Sequence, residues 1–179
     1  MKYLEEIQKS TVLLAEHPKT IFIGQSVAYP GNAIYKSLKD ILPPERKIEM
    51  PVFEDTQMGI SIGLALEGFI PVSIFPRFNF LIIALNQLSN HLDKLPEISG
   101  GKLMPKVIIK TMVGSVRPLD PGHQHKSNFT DAFRKILDNI IIEDLTEPEM
   151  IFPAYQKALS RTDGKSTILV EYGDFYNEK

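Results

Sequence analysis

The sequence predicts an α/β fold of three layers, α/β/α, built on a mostly parallel sheet. Three observations carry this expectation. Short β-prone runs alternate with helix-like segments along almost the whole chain. One of those runs, "KVIIKTMV", is continuously β-branched and apolar rather than alternating, the mark of a strand covered on both faces. Strand-then-helix order is also the connection that parallel neighbours require. With 179 residues there is room for one well-buried domain, taken as 1–179 with its core at about 20–173.

The elements follow in order. Leu4, Ile7, Val12, Leu13 and Leu14 lie partly at helical spacing, and Pro18 stands just beyond them. "KTIFIGQS" reads as a buried strand, and "GNAIYKSLKDIL" as a short helix stopped by Pro43 and Pro44. "MPVFE" is β-prone and leads into an apolar helical segment from Thr56 to Glu67, with Gly68 placed as its C-terminal cap. "FIPVSIF" is the next strand. "FLIIALNQLSNHLDKL" is then a helix with Leu81, Ala84, Leu85, Leu88 and Leu92 on one side, ended by Pro96 and "SGG". After "KVIIKTMV", a polar loop from Gly114 to Lys126 leads to "SNFTDAFRKIL", where Ser127 or Asn128 can cap and Phe129, Phe133, Ile136 and Leu137 face inward. "NIIIEDL", a helix opened by Thr146 and Glu149 at capping-box spacing, and "STILVEY" complete the alternation.

Composition narrows the function. A net charge of −2 with scattered Lys and Arg offers no basic stripe for nucleic acid. With no cysteine, disulfides and thiolate metal sites are excluded. "MKYLEEIQKS" has acidic residues where a secretory leader is apolar, and no apolar run reaches the roughly 20 residues a bilayer span needs. A cytoplasmic protein working on a small molecule is the expectation.

Glu54 follows Val52 and Phe53 at the mouth of the apolar segment, where open α/β sheets bind ligands. A carboxylate partly sheltered by Val52, Phe53 and Met58 can share a proton with a ligand nitrogen. Acidic residues at helix starts are common, so the pattern alone favours a capping role for Glu54 or Asp55. Gly59 and Gly63, one turn apart, open one helix face to close approach, either within the domain or between subunits. His123 and His125 share a loop, and an acid–base or ligand-contact role suits them better than a metal, for which no third ligand is evident. "PRFNF", with Pro76, Phe78 and Phe80, is either a core cluster or an apolar wall for a flat ring. Phosphate loops of P-loop or dinucleotide type are absent.

"VFEDTQMGISIGLALEGFIPVSIFPRFNF", followed by Asn86-Gln87 and Asn90 and by "GHQH", resembles the pyrimidine-binding domain of transketolase-like thiamine diphosphate enzymes. The nearest likeness is to the first domain of the beta subunit of pyruvate dehydrogenase-type 2-oxo acid dehydrogenases, and it runs over about residues 20–173. The resemblance implies that Glu54 is the catalytic glutamate that hydrogen-bonds the aminopyrimidine nitrogen and drives the imino tautomer, through which the thiazolium carbon becomes a nucleophile. It implies that Phe80 packs on the pyrimidine, with Phe78 and Pro76 near the cofactor, and that His123 or His125 is the active-site histidine. Asn86 where the pattern has Asp, Pro76 for a bulkier residue, and Arg117 and Asp120 in the histidine loop are departures that bear on the substrate. The metal–diphosphate motif of such enzymes, Gly-Asp-Gly with a later Asn, is not found; "YGDFYN" keeps only Gly173 and Asp174. The resemblance therefore implies a split enzyme for a 2-oxo acid or a ketose. A partner chain would carry the diphosphate-binding domain and Mg²⁺, in a dimer or heterotetramer. Transketolase-like ketol transfer and a non-catalytic subunit retaining the fold are the other readings.

Overall fold

The computed structural model describes residues 2–117 and 119–177. Six strands, β1 (Thr20–Gly24), β2 (Lys47–Glu49), β3 (Ile70–Phe75), β4 (Ile108–Val113), β5 (Ile141–Asp144) and β6 (Thr167–Tyr172), form one sheet. Its order is β2-β1-β3-β4-β6-β5 and every neighbouring pair is parallel. The helices are α1 (Tyr3–Glu16), α2 (Glu54–Leu66), α3 (Phe78–Leu81), α4 (Leu95–Ile98), α5 (Thr130–Ile136) and α6 (Pro148–Ser160). The predicted three-layer α/β architecture is thus present, with a wholly parallel sheet.

Alternation along the strands builds two cores. Val72, Ile74, Ile108, Met112 and Leu169 meet α1 and α6 on one face. Phe75, Ile109, Ile168 and Val170 meet α2, α3 and α5 on the other. Every residue of β3 is buried, as a central parallel strand demands. Tyr3 anchors α1 to the sheet: its hydroxyl donates to Leu145 O at 2.7 Å and accepts from Tyr172 N at 3.0 Å. Gly68 ends α2 as expected, at φ +87°, with its N–H on Ala65 O at 3.2 Å.

Four local expectations change. "GNAIYKSLKDIL" forms one 3₁₀ turn, Ala33–Ser37, instead of a helix. Ile34, Leu38 and Leu42 are buried as a helix would bury them, but Asp40 at φ +62° breaks the path. The predicted long helix after β3 is broken into α3, a 3₁₀ turn at Ile82–Ala84 and a π-helical turn at Gln87–Leu92. That wide turn closes through Asp93 N to Leu88 O at 2.8 Å and carries the buried Asp93 carboxylate to the amides of Asp138 and Asn139, at 3.3 and 2.7 Å. Ile136, the last residue of α5, is 43% exposed, whereas Phe133 and Leu137 are buried and Phe129 packs on the same core as expected. No capping box opens α6, which starts at Pro148; the Thr146 hydroxyl meets Met150 Sδ at 3.8 Å instead. Among the described residues no helix is long and apolar enough to cross a membrane.

Candidate functional site

The chain leaves β1 outward to β2, whereas β3 continues to β4 on the opposite side, so the strand order reverses between β1 and β3. Gly24 pairs with Ile74 there, and ligands of open α/β sheets bind beyond the carboxyl ends at such a reversal. Three segments converge on it: Gln25 after β1, Glu54 as the first residue of α2, and Pro76-Arg77 after β3.

Glu54 is 2% exposed, and its Oε1 accepts a hydrogen bond from Gln25 Nε2 at 3.0 Å. No described residue donates to its Oε2, which is not sealed off from the rim. Met58, one turn on, is fully buried beside it in sequence. Val52 and Phe53, expected to shelter the carboxylate, are instead 73% and 63% exposed. "MPVFE" is not a strand: pairing ends with β2 and Met50 N to Gly24 O at 2.8 Å, after which a tight turn, Phe53 N to Pro51 O at 2.8 Å, throws both side chains outward.

Neither acidic residue caps α2. Its N-cap is Phe53, without a side-chain bond, and Glu54 and Asp55 occupy the first turn, where unpaired N–H groups favour carboxylates. Asp55 Oδ2 accepts from Gln87 Nε2 at 3.3 Å, so it ties α2 to the next layer element. Beneath Glu54, Gln57 Nε2 bonds Ser73 Oγ and Ile74 O, both at 3.1 Å, and fixes α2 on β3.

The other predicted residues divide between rim and core. Phe80 is partly exposed and meets the His125 ring edge-to-face, with centroids 5.5 Å apart. Phe78, expected among the ring contacts, is fully buried against Phe129 and Phe133, at 5.7 and 5.0 Å, and belongs to the core. The residue count explains it: two positions apart across the start of a helix, Phe78 and Phe80 cannot share a face. Pro76 is buried in the turn that follows β3. His123 is exposed, whereas His125 is partly buried with its Nδ1 enclosed. Gly114 makes that possible, since a Cβ there would lie 2.6 Å from Lys126 Cα. Asp120 closes the same loop, accepting from Gly122 N at 2.9 Å and pairing with Lys126 at 2.8 Å; these bonds hold its carboxyl below the usual range.

Next to this lies an open cleft of about 300 Å³ lined by Lys36, Arg77, Ser115, Arg117 and Asn177. Burial pushes the half-buried Arg77 guanidinium down, and the nearby Asp174 carboxylate opposes this. Sequence reasoning missed three contributors: Gln25, Glu49 and Arg77. Glu49 takes the amides of Ser26, Val27 and Ala28 at 2.7, 2.8 and 2.7 Å, which fixes the loop that follows Gln25. The available signal was a polar residue at or just past a strand's carboxyl end: Gln25 follows β1, Glu49 ends β2, and Arg77 comes two residues after β3. Among the described residues no group of three or more His, Asp or Glu side chains is placed to hold a metal.

No protein-family model matches the chain. Its curated relatives include beta subunits of the pyruvate dehydrogenase E1 component. The chloroplastic beta-3 subunit of Arabidopsis thaliana is 31% identical over 121 residues, 66% of this chain and 29% of its own length. The chloroplastic beta-4 subunit of Oryza sativa subsp. japonica is 28% identical over 125 residues, 69% of this chain and 31% of its own. The subunit from Gracilaria tenuistipitata var. liui is 26% identical over 179 residues, 98% of this chain and 54% of its own. This chain therefore spans about a third to a half of those relatives. Among solved structures, a split-gene transketolase described as an inactive beta4 tetramer superposes with a TM-score of 0.70 at 19% identity, over 94% of this chain and 50% of that one. The transketolase of Leishmania mexicana gives 0.70 at 19%, over 95% and 25%. The fold is that of a transketolase-like domain. By sequence, the chain is related to pyruvate dehydrogenase E1 beta subunits, as its motifs lead one to expect.

Proposed function

We propose that this chain is the pyrimidine-binding part of a thiamine diphosphate-dependent enzyme that acts on a 2-oxo acid or a ketose. The observation that carries this reading is Glu54: a carboxylate 2% exposed, at the strand-order reversal, with one oxygen held by Gln25 and the other left for a ligand. That geometry fits a group offering a ring nitrogen to a carboxylate and a flat face to an aromatic side chain. Glu54 holds the proton shared with the pyrimidine nitrogen, Gln25 fixes the carboxylate, and Phe80 supplies the ring contact. His125, rather than the exposed His123, faces the substrate. When bound, the cofactor supplies a nucleophilic carbon for addition to a carbonyl.

Both substrate classes are anionic as 2-oxo acids or sugar phosphates, and the Lys36–Arg77 cleft offers them a positive wall. The diphosphate and Mg²⁺ are assigned to a second polypeptide with the missing motif. The α2 face is the contact surface: Ile60 is 41% exposed and a Cβ at Gly63 would touch nothing within 4 Å. The test is exchange of the thiazolium proton in the reconstituted pair. Glu54→Gln is expected to slow it by roughly 10²–10⁴-fold, the range of a positioned acid–base group; unchanged exchange overturns the assignment. A panel of 2-oxo acids against sugar phosphates then decides the substrate class.

A further inference from the structure

Both oxygens of Glu49, the last residue of β2, are taken up by the chain that leaves β1. Oε1 accepts from Ser26 N at 2.7 Å, and Oε2 from Val27 N and Ala28 N at 2.8 and 2.7 Å. Three consecutive N–H groups converge on one carboxylate only where the backbone curls into a nest, and Ser26 supplies the curl at φ +61°. That conformation is unfavourable for a residue with a Cβ, so it persists where the surroundings impose it. Glu49 can impose it because a carboxylate is a strong acceptor for amides and the sheet holds this one in place. Glu49 pairs with Gly24, and Met50 N bonds Gly24 O at 2.8 Å.

The residue just before the nest is Gln25, whose Nε2 lies 3.0 Å from Glu54 Oε1. A glutamine side chain loses much rotational freedom when it is held in one direction, and a moving backbone beneath it would undo the bond. Only one other side-chain bond to the nest is seen among the described residues: Ser26 Oγ accepts from Asn32 Nδ2 at 2.7 Å. That bond ties the nest to the segment after it and leaves the position relative to β2 to Glu49.

We propose that Glu49 is a positioning residue for the candidate site: by fixing the backbone of residues 26–28 it aims the Gln25 amide at the Glu54 carboxylate. Its consequence for the cofactor rests on the proposed function; the coupling of Glu49 to Gln25 is a property of this chain alone.

The experiment follows the Gln25 side-chain amide by ¹H–¹⁵N correlation in the full chain, assigned by its loss in Gln25→Ala. In the wild type its two protons are expected to differ from those of a free glutamine and to move in Glu54→Gln. Glu49→Gln turns an NH₂ group toward the nest, so the 26–28 amides should shift and the Gln25 protons should fall to free-glutamine values. Glu49→Asp, which keeps the charge on a shorter side chain, should do this less. The Asn139 side-chain amide, bonded to Asp93 O at 3.0 Å beside the opposite edge of the sheet, should stay put and report an intact fold. A wild-type Gln25 amide already at free-glutamine values overturns the proposal whether or not any variant folds. So does an unmoved Gln25 in a variant whose 26–28 amides have shifted, which would leave Glu49 a clamp on the loop and nothing more. In the reconstituted pair, Glu49→Gln should slow thiazolium-proton exchange roughly 10–100-fold, as loss of an outer partner does for ligating groups. It should cost little further once residue 25 is alanine, because the two act as one unit. Fully additive losses, or exchange slowed by Glu54→Gln and not by Glu49→Gln, overturn the positioning role. If Glu54→Gln itself leaves exchange unchanged, the proposed function falls and the Gln25 spectra alone decide the coupling.

Discussion

Glu171 and Glu54 are both withdrawn from solvent, at 0% and 2% exposure, yet the fold provides for them in opposite ways. Glu171, on β6, points under α1 and α6. Its Oε1 accepts from Lys110 Nζ and the Tyr155 hydroxyl, and its Oε2 from the Tyr176 hydroxyl. Lys110 also donates to Tyr155 at 3.1 Å. Burial pushes the Lys110 ammonium down and the two phenols up, with the Glu171 charge opposing the first and reinforcing the second. Both oxygens of that carboxylate are held by side chains that are themselves locked in the core, out of reach of a ligand. Glu54 has one donor, at the rim, and a spare oxygen. Burial alone therefore does not mark a functional carboxylate; unused hydrogen-bonding capacity does.

The largest effect expected from breaking this comparison is on stability. Glu171→Leu leaves the Lys110 ammonium buried without its partner, and loss of one member of such a pair destabilises by about 3–5 kcal/mol. Urea unfolding of Glu171→Leu measures it. Adding Lys110→Met is expected to recover part of the loss. A single-variant loss below about 1 kcal/mol would show that the network is not doing structural duty.

Gly114→Ala comes next, on the rim. Its methyl group would meet Lys126 Cα at 2.6 Å, so the histidine loop must shift, at a cost of about 1–3 kcal/mol for forced overpacking. The same unfolding assay gives the loss, and the His125 imidazole resonances should move with it while those of the remote His17 stay. Smaller still is Glu54→Gln, at about 1 kcal/mol or less: an amide still accepts from Gln25, and only the charge at the start of α2 is gone. A loss as large as that of Glu171→Leu would make Glu54 a second structural carboxylate and remove its claim to a ligand.

How much of this was legible follows from which forces act locally. The α/β class and every strand but the short, less buried β2 could be read because parallel burial writes apolar runs directly into "TIFIG", "IPVSIF" and "IIKTMV". Glu54 stood out because a lone carboxylate in an apolar setting is a local signal, and the motif around it carried the family. Phe78 was misplaced because alternation says that two aromatics face opposite ways without saying which faces the ligand. Val52 and Phe53 were misplaced because the turn at Pro51 depends on where β2 stops. Glu49, Gln25 and Arg77 were invisible for a different reason. Each acts on a residue more than 20 positions away, through contacts made only when strand ends meet.

The finest test concerns the clamp that holds the histidine loop, and it turns on pH. Asp120 is held below the ordinary carboxyl value, first by its bond to Lys126 and then by the Gly122 amide. A carboxyl with a depressed folded value contributes to the native loop whenever the unfolded form would also be ionised, that is, above about pH 4. The contribution is lost as pH falls through the lower folded value, and between pH 5 and 8 it stays constant. The Gly122 amide, donor to Asp120 Oδ1 at 2.9 Å, is the reporter: its chemical shift should titrate with a midpoint below 3.8. The step should vanish in Asp120→Asn. Because the Asp120 side chain is 52% exposed and its direct pair with Lys126 is open to solvent, added salt should raise the midpoint toward the unfolded value. The Glu171 network, sealed from ions, should show no such salt dependence. A midpoint insensitive to salt would mean that the rim is insulated as the core is, and the contrast between the two carboxylate environments would no longer hold.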